Sequence, residues 1–588
     1  MTPSRRRALS LTAAAVVALL VIVLIRQCAP TDADVGGHVA TSSDCVEFLV
    51  YSSDEKAPIL AALAEDAATS GRGIGDGRCV RPRVQVRQTS DVVRLLRRGA
   101  DQRWDEAVDG PRPDVFAPSS SVWLQRLRYD RANGVANAIQ VPQDVPSVTS
   151  TPLVIAMPEP VADALGVANG GLGWKDLLAL VRDPRGWAAR GKPDWGRFTL
   201  GKTNPRESTT GLNATISLVS AVLNGAPLTA ETLLDSRVQD DVAAMETAAV
   251  HYGETSSAFV NNLYEADRRG DASGYINAVV LEEFVVRRYN QGHLVGSGDP
   301  RTPPTTKLVP VLPEEGTTLH DNPYLVLPWA DPAKQEAARV FLDYVTEPAQ
   351  QQRFIDAGFR AAQDREGYRP VPTPEEPAMQ AVRDLWEKVR KRANVLFVVD
   401  VSGSMREPVS AENTRMSLAK SAAKRISDPA LLADDDQVGL WEFSGARPGE
   451  STPWRPLVPV GPVGQRRPAL TAAVDAMAPD GSTGLYVTVR DAVESLRAGY
   501  DPSRINAVVV LSDGANEYRE SSYALEQLLT DVAPASGRPT IPVFAVAYSA
   551  SSDKSVLERV ATASTGAVYD STDPTAITQV VESVLSNF

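Results

Sequence analysis

The stretch that decides the fold is Val395-Leu-Phe-Val-Val-Asp400-Val-Ser402-Gly-Ser404-Met405. Five apolar residues in a row, three of them β-branched, read as a strand covered on both faces, as strands of parallel sheets are. The strand ends on an Asp followed by a turn of Ser and Gly. Further along, Ala507-Val-Val-Val-Leu-Ser-Asp513 and Val543-Phe-Ala-Val-Ala-Tyr548 repeat the pattern, with helical segments at 414–426 and 488–496 between them. Buried strands alternating with helices predict a doubly wound α/β domain over residues 393–588.

In an open parallel sheet, ligands bind outside the carboxyl ends of the strands, where the strand order reverses. Two strands here end in an Asp followed by small residues, Asp400-Val-Ser402-Gly-Ser404 and Asp513-Gly514. Two carboxylates and two hydroxyls converging there form an oxygen-only ligand set, which favours a hard cation such as Mg²⁺. The segment around Asp400 resembles the first strand and metal-binding loop of von Willebrand factor type A (VWA) domains. Asp480-Gly-Ser-Thr483-Gly-Leu is similar to the family's second loop, and the run ending at Asp513 to its fourth-strand Asp. The resemblance implies a Rossmann-like fold and a metal-ion-dependent adhesion site formed by Asp400, Ser402, Ser404, Thr483 and Asp513. It also implies that Mg²⁺, or Mn²⁺ or Ca²⁺ in its place, keeps one position open for a carboxylate from a protein partner.

From residue 44 to about 362, short apolar strands alternate with helical patterns without a linker-like break. The expected strands are 46–51, 84–87, 115–117, 153–157, 198–201 and 324–327. Residues 363–376, rich in Pro and Glu, read as a linker, and 378–392 as a strongly charged helix. PDVFAPSSS (113–121), STPLVIAMP (150–158), GWKDLLAL (173–180), LGKTNPRESTTGL (200–212) and QQRFIDAGFR (351–360) resemble a bacterial extracellular solute-binding protein of the type II periplasmic fold. That resemblance implies two α/β lobes closing on a ligand. Lobe one is expected at 44–146 plus 305–362, and lobe two at 147–304. Cleft candidates are hydroxyls at strand ends and helix starts: Ser52, Ser53, Ser119, Ser120, Thr151, Ser208 and Thr209. With helix N-terminal N–H groups they suit an oxyanion, a small polar solute or a peptide, although Ser and Thr also cap helices.

Ahead of these domains, Arg5, Arg6 and Arg7 precede an uncharged apolar stretch, 8–25, long enough to cross a hydrocarbon layer. The arginines place the N-terminus in the cytoplasm and the bulk outside. The stretch reads as an uncleaved single-pass anchor in the cell membrane, followed by a stalk to residue 43, with cleavage as a signal peptide or lipidation at Cys28 as the alternatives. Outside the cytoplasm cysteines oxidise, so Cys45 and Cys79 are predicted to pair.

The bulk composition excludes other classes. With 43% hydrophobic and 23% charged residues the chain folds into ordinary globular domains. Sixty Lys and Arg against 73 Asp and Glu leave a net charge of −13, which argues against nucleic acid as a partner. Four His and three Cys, none at zinc-ligand spacing, leave no basis for a His- or Cys-built metal enzyme. Gly196-Arg-Phe-Thr-Leu-Gly201-Lys202-Thr203 matches a phosphate-binding loop literally, but Pro205 stands where its helix should run. Ser417-Leu-Ala-Lys420 matches a nucleophile pattern without its supporting elements.

The sequence therefore predicts a membrane-anchored, extracytoplasmic, non-enzymatic binding protein: a solute-binding-like cleft followed by a VWA domain that docks a protein through Mg²⁺. The competing expectation is a solute receptor for an ABC-type transporter with the VWA domain as an accessory.

Overall fold

The computed structural model describes residues 45–588 apart from 99–103, 136–137, 254, 295–299, 411–412, 446–448, 513–515, 519–520, 536, 548–553 and 571–576. The expected anchor at 8–25 and Cys28 lie outside the described residues. Among those described, no helix is long and apolar enough to cross a membrane.

The first sheet is built from β1 (Cys45–Ser52), β2 (Cys79–Val86), β3 (Val115–Ala117) and β9 (Leu325–Val326), in the order β2-β1-β3-β9. Val46, Phe48 and Val50 alternate along β1 into one core, while Tyr51 turns to another, which is the period-2 signature of a central strand. β1 and β2 run parallel with Cys45 opposite Cys79, and these two residues form a disulfide. The expected strand at 84–87 catches only the end of β2, because Arg81, Pro82 and Arg83 break the apolar pattern on this edge strand.

The second sheet comprises β4 (Thr151–Pro158), β5 (Leu200–Gly201), β6 (Ala278–Glu282) and β7 (Leu308–Val311), ordered β5-β6-β4-β7, with β8 (Leu319–His320) pairing the start of β4. All eight residues of β4 are buried. Since β7 pairs with β4, the chain returns to lobe one near 319–326 rather than at the expected 305. The backbone amides of Thr305 and Thr306 are held by the Asp267 carboxylate, which fixes that stretch on lobe two.

The third sheet, β10 (Arg392–Asp400), β11 (Gln437–Phe443), β12 (Trp454–Pro462), β13 (Arg504–Ser512), β14 (Val543–Ala547) and β15 (Val568–Asp570), has the order β12-β11-β10-β13-β14-β15. Every pairing is parallel except that of the Pro-bearing edge strand β12. Val395, Phe397 and Val399 enter the core on one face of β10, and Leu396 and Val398 the core on the other. Burying each contributes about 2 kcal/mol, which explains the unbroken apolar run.

The expected linker is instead packed structure. Val371 N donates to Thr317 O, and the helix Glu376–Val389 lies against the lobe-two helices Thr209–Val222 and Ser236–Glu246. Met379, Val382 and Leu385 join the core shared with lobe two, while Trp386 enters the core of the third sheet together with Ala249 and Tyr252 of lobe two. Around Trp386, Arg390 pairs with Asp436 at 2.6 Å and donates to the Phe588 carbonyl. Tyr252 N donates to Asn587 O, and Asn204 Nδ2 to Ser586 O. Lobe two and the last domain thus share one apolar seam.

Candidate functional site

β10 and β13 are neighbours at the centre of the third sheet, and strand order reverses between them. At that point Asp400 ends β10 fully buried, with Oδ1 accepting from Ser402 N at 2.8 Å and Oδ2 from the Ser512 hydroxyl at 2.7 Å. The Ser402 and Ser404 hydroxyls stand 3.1 Å apart. Backbone bonds then draw in the second loop: Gly403 N to Gly481 O at 2.9 Å, Asp480 N to Val401 O at 2.7 Å, and Glu517 N to Thr483 O at 2.8 Å. Gly481 turns this loop with φ +77°, and a Cβ on Gly484 would lie 2.3 Å from Pro453 Cβ, so both positions need glycine. Thr483 is thereby buried beside the first loop, whereas Asp480 faces outward in an exposed pair with Arg406.

Of the five expected metal ligands, Asp400, Ser402, Ser404 and Thr483 are on converging loops, and Asp513 lies outside the described residues. Ser512, which precedes it and bonds Asp400, was not anticipated. Among the described residues no group of three His, Cys, Asp or Glu could hold a metal ion. The donors here are one carboxylate and hydroxyls. A buried carboxylate beside clustered hydroxyls fits a hard divalent cation.

The second candidate lies between the lobes. A cavity of about 40 Å³ is lined by Ser53, Ser119, Ser208 and Thr209 of the expected set. Ser208 caps the helix Thr209–Val222, and the Thr209 hydroxyl accepts from Ser119 at 2.8 Å and from Trp123 Nε1 at 2.7 Å. Ser52, Ser120 and Thr151 do not line it. Ser52 donates to the Ser53 carbonyl, Ser120 accepts from Val122 N at the start of a helix, and Thr151 accepts from Phe284 N. They are spent on backbone groups, the bland role of Ser and Thr at strand ends and helix starts.

The residues missed in the sequence are charged. Asp54 and Glu55, directly after β1, and Glu282, the last residue of β6, also line the cavity. Glu282 is 2% exposed and accepts from Thr210 Oγ1 at 2.5 Å and Ser256 Oγ at 3.3 Å, with His320 Nδ1 at 3.4 Å. The charge of Glu55 and burial hold the Asp54 carboxyl up to about 8. Burial, then the charge of Glu55, holds Glu282 up to about 7. Burial lowers Lys56 to about 8 and His320 to about 4. Lys56 gives its ammonium to Ser53 Oγ at 2.6 Å and the Pro118 carbonyl at 3.1 Å. Acidic residues next to the Ser52-Ser53 pair were the available signal.

The two literal motif matches are structural. Lys202 is consumed by a buried ion pair with Glu246, and no helix starts at Lys202-Thr203. Ser417 closes a capping box with Thr414, and Lys420 donates to the Asp475 carbonyl.

Residues 48–360 match the family model of bacterial extracellular solute-binding proteins, and residues 394–583 that of the von Willebrand factor type A domain. No curated protein matches the chain. Among solved structures, a periplasmic thiamin binding protein is similar at 15% identity, covering 62% of this chain and 100% of that one, with a TM-score of 0.36. The sulfate-binding protein SubI from Mycobacterium tuberculosis H37Rv is similar at 15% identity over 59% of this chain and 91% of its own, TM-score 0.32. A von Willebrand factor type A structure from Catenulispora acidiphila is 20% identical over 33% of this chain, TM-score 0.27, and the match spans 42% of that structure's length.

Proposed function

Since the chain belongs to the bacterial extracellular solute-binding proteins and continues into a VWA domain, we propose that it is a membrane-anchored, extracytoplasmic and non-enzymatic binding protein with two sites. The cleft between the lobes takes a small solute, and the VWA loops dock a protein partner through a divalent cation, Mg²⁺ being the first choice. Asp400, Ser402, Ser404, Thr483 and Asp513 would hold that cation, which supplies an open position for a carboxylate of the partner. The chain's own part is to bury Asp400, to fix its orientation through Ser402 N and Ser512, and to carry Thr483 in on the second loop.

The observation that carries this reading is the convergence of the 400–405 and 480–484 loops at the reversal of strand order. The Cys45–Cys79 disulfide supports an oxidising compartment, and the 8–25 stretch the membrane tether. Titration of the full chain with Mn²⁺, followed by electron paramagnetic resonance, tests the first part: one tight site is expected, lost in Asp400→Ala. Crosslinking on intact cells with and without EDTA tests the second, since a partner retained in EDTA refutes metal-dependent docking. Recovery of a permease as that partner would favour the transporter-receptor role.

A further inference from the structure

The cavity between the lobes carries carboxylates from both sides. Lobe one contributes Asp54 and Glu55, lobe two contributes Glu282, and among the described residues none of the three forms an ion pair with a Lys or Arg. Lys56, adjacent in the chain and fully buried, directs its ammonium to a hydroxyl and a carbonyl instead. Glu55 Oε2 is sealed from solvent without a hydrogen-bond partner. So is Nε2 of His320, whose ring is 1% exposed and faces Glu282 through Nδ1.

Like charges gathered in a closed cleft repel each other and lose hydration, and both effects favour protonation. The raised carboxyls of Asp54 and Glu282 express that imbalance. A positive charge between them would restore hydration-like contacts and attract both lobes at once.

We infer that the cleft recognises an organic ammonium group, seated between Asp54 and Glu55 of lobe one and Glu282 of lobe two. This rests on the solute-binding reading above and narrows it, replacing the expected oxyanion. Among the described residues no group of three His, Cys, Asp or Glu is placed to hold a metal ion, and the CaCl₂ arm of the test below separates a metal from an ammonium. The 40 Å³ of space accommodates about three water molecules, the size of an ammonium head and its first carbon. The hydroxyls of Ser53, Ser119 and Ser256 supply further acceptors around it. An anion at the helix start after Ser208 would sit in the field of three carboxylates.

The test is calorimetric titration of the full chain, with MgCl₂ constant throughout, using putrescine, spermidine and choline chloride against ionic-strength-matched sodium chloride and sodium sulfate. At least one amine is expected to bind, with affinity falling about tenfold or more in Glu282→Gln, as for loss of a hydrogen bond to a charged group. Asp54→Asn, at a partly buried position, gives the same readout should Glu282→Gln fail to fold. Sulfate binding that is lost in Thr209→Val overturns the ammonium class and leaves the solute cleft standing. CaCl₂ binding to an Asp400→Ala chain that depends on Glu282 overturns it in favour of a metal. Absence of binding by every amine overturns the inference and leaves the solute cleft standing.

Discussion

Replacing Asp436 by Ala should destabilise the VWA domain where it holds Arg390, just past the helix Glu376–Val389 that packs on lobe two. Asp436 is fully buried and accepts four hydrogen bonds: from Arg390 Nη2 at 2.6 Å and Nη1 at 3.3 Å, from Ala393 N at 2.7 Å and from Ala433 N at 2.7 Å. The same guanidinium bonds the Phe588 carbonyl. Removing the carboxylate leaves two backbone donors unpaired and a buried cation whose remaining ion-pair partner is Glu387, 3.2 Å from its Nε, a loss of about 3–5 kcal/mol. A domain of this size loses about 2–4 °C per kcal/mol, so the transition containing the VWA domain should fall by about 6–20 °C in differential scanning calorimetry. The double variant Arg390→Met/Asp436→Leu removes both charges and should recover the part of that loss that comes from the buried cation, while Ala393 N and Ala433 N stay unpaired. A loss below about 1 kcal/mol in Asp436→Ala, or a double variant as unstable as the single one, would refute this account of the seam.

Three further outcomes are expected. Reduction of Cys45–Cys79, which closes a loop with a sequence separation of 34, should destabilise the solute-binding domain by about 4 kcal/mol, and urea midpoints with and without reductant check it. Glu282 and Asp54, held up to about 7 and about 8, contribute stability that is full below the ordinary carboxylate range and lost as pH rises through those values. The ligand-free domain should therefore weaken mainly between about pH 6.5 and 8, with a flatter profile in Glu282→Gln, because the buried His320 and His251, lowered to about 4, oppose the trend below that window, and Lys56, lowered to about 8, opposes it above. An unchanged slope in the variant counts against it. Gly484→Ala drives a Cβ to 2.3 Å from Pro453 and must move the loop bearing Thr483, so Mn²⁺ affinity should drop about tenfold although no ligand is altered. Wild-type affinity in that variant would separate the loop from the site.

The VWA domain was the most legible part of the chain because β10, β13 and β14 are buried on both faces and write continuous apolar runs. β12 was not, since Pro456, Pro459 and Pro462 on an edge strand carry no such signal. The helix Glu376–Val389 was expected as a strongly charged helix at 378–392. Its apolar stripe of Met379, Val382, Leu385 and Trp386 has helical spacing, but which surface receives it is a tertiary fact. The 400–405 and 480–484 loops were read from local patterns and are brought together by backbone bonds between distant stretches of the chain. The cleft was read through its hydroxyls, and three of the seven candidates turn out to serve backbone groups. Its acids went unnoticed because a carboxylate after a strand is usually solvated, and only the meeting of Asp54, Glu55 and Glu282 across two lobes removes that water.

The seam between lobe two and the VWA domain also sets how a pull would travel through the molecule. Residues 1–44 lead into β1, so a membrane tether would load lobe one at Cys45, where the disulfide ties β1 to β2. A partner gripping the VWA loops would load lobe two through Trp386 and through the bonds of Tyr252 N to Asn587 O and Asn204 Nδ2 to Ser586 O. The cleft then stands in series between the two points of attachment. Tension would act to part its lobes, and a solute bridging Asp54 and Glu282 would be the element that bears it.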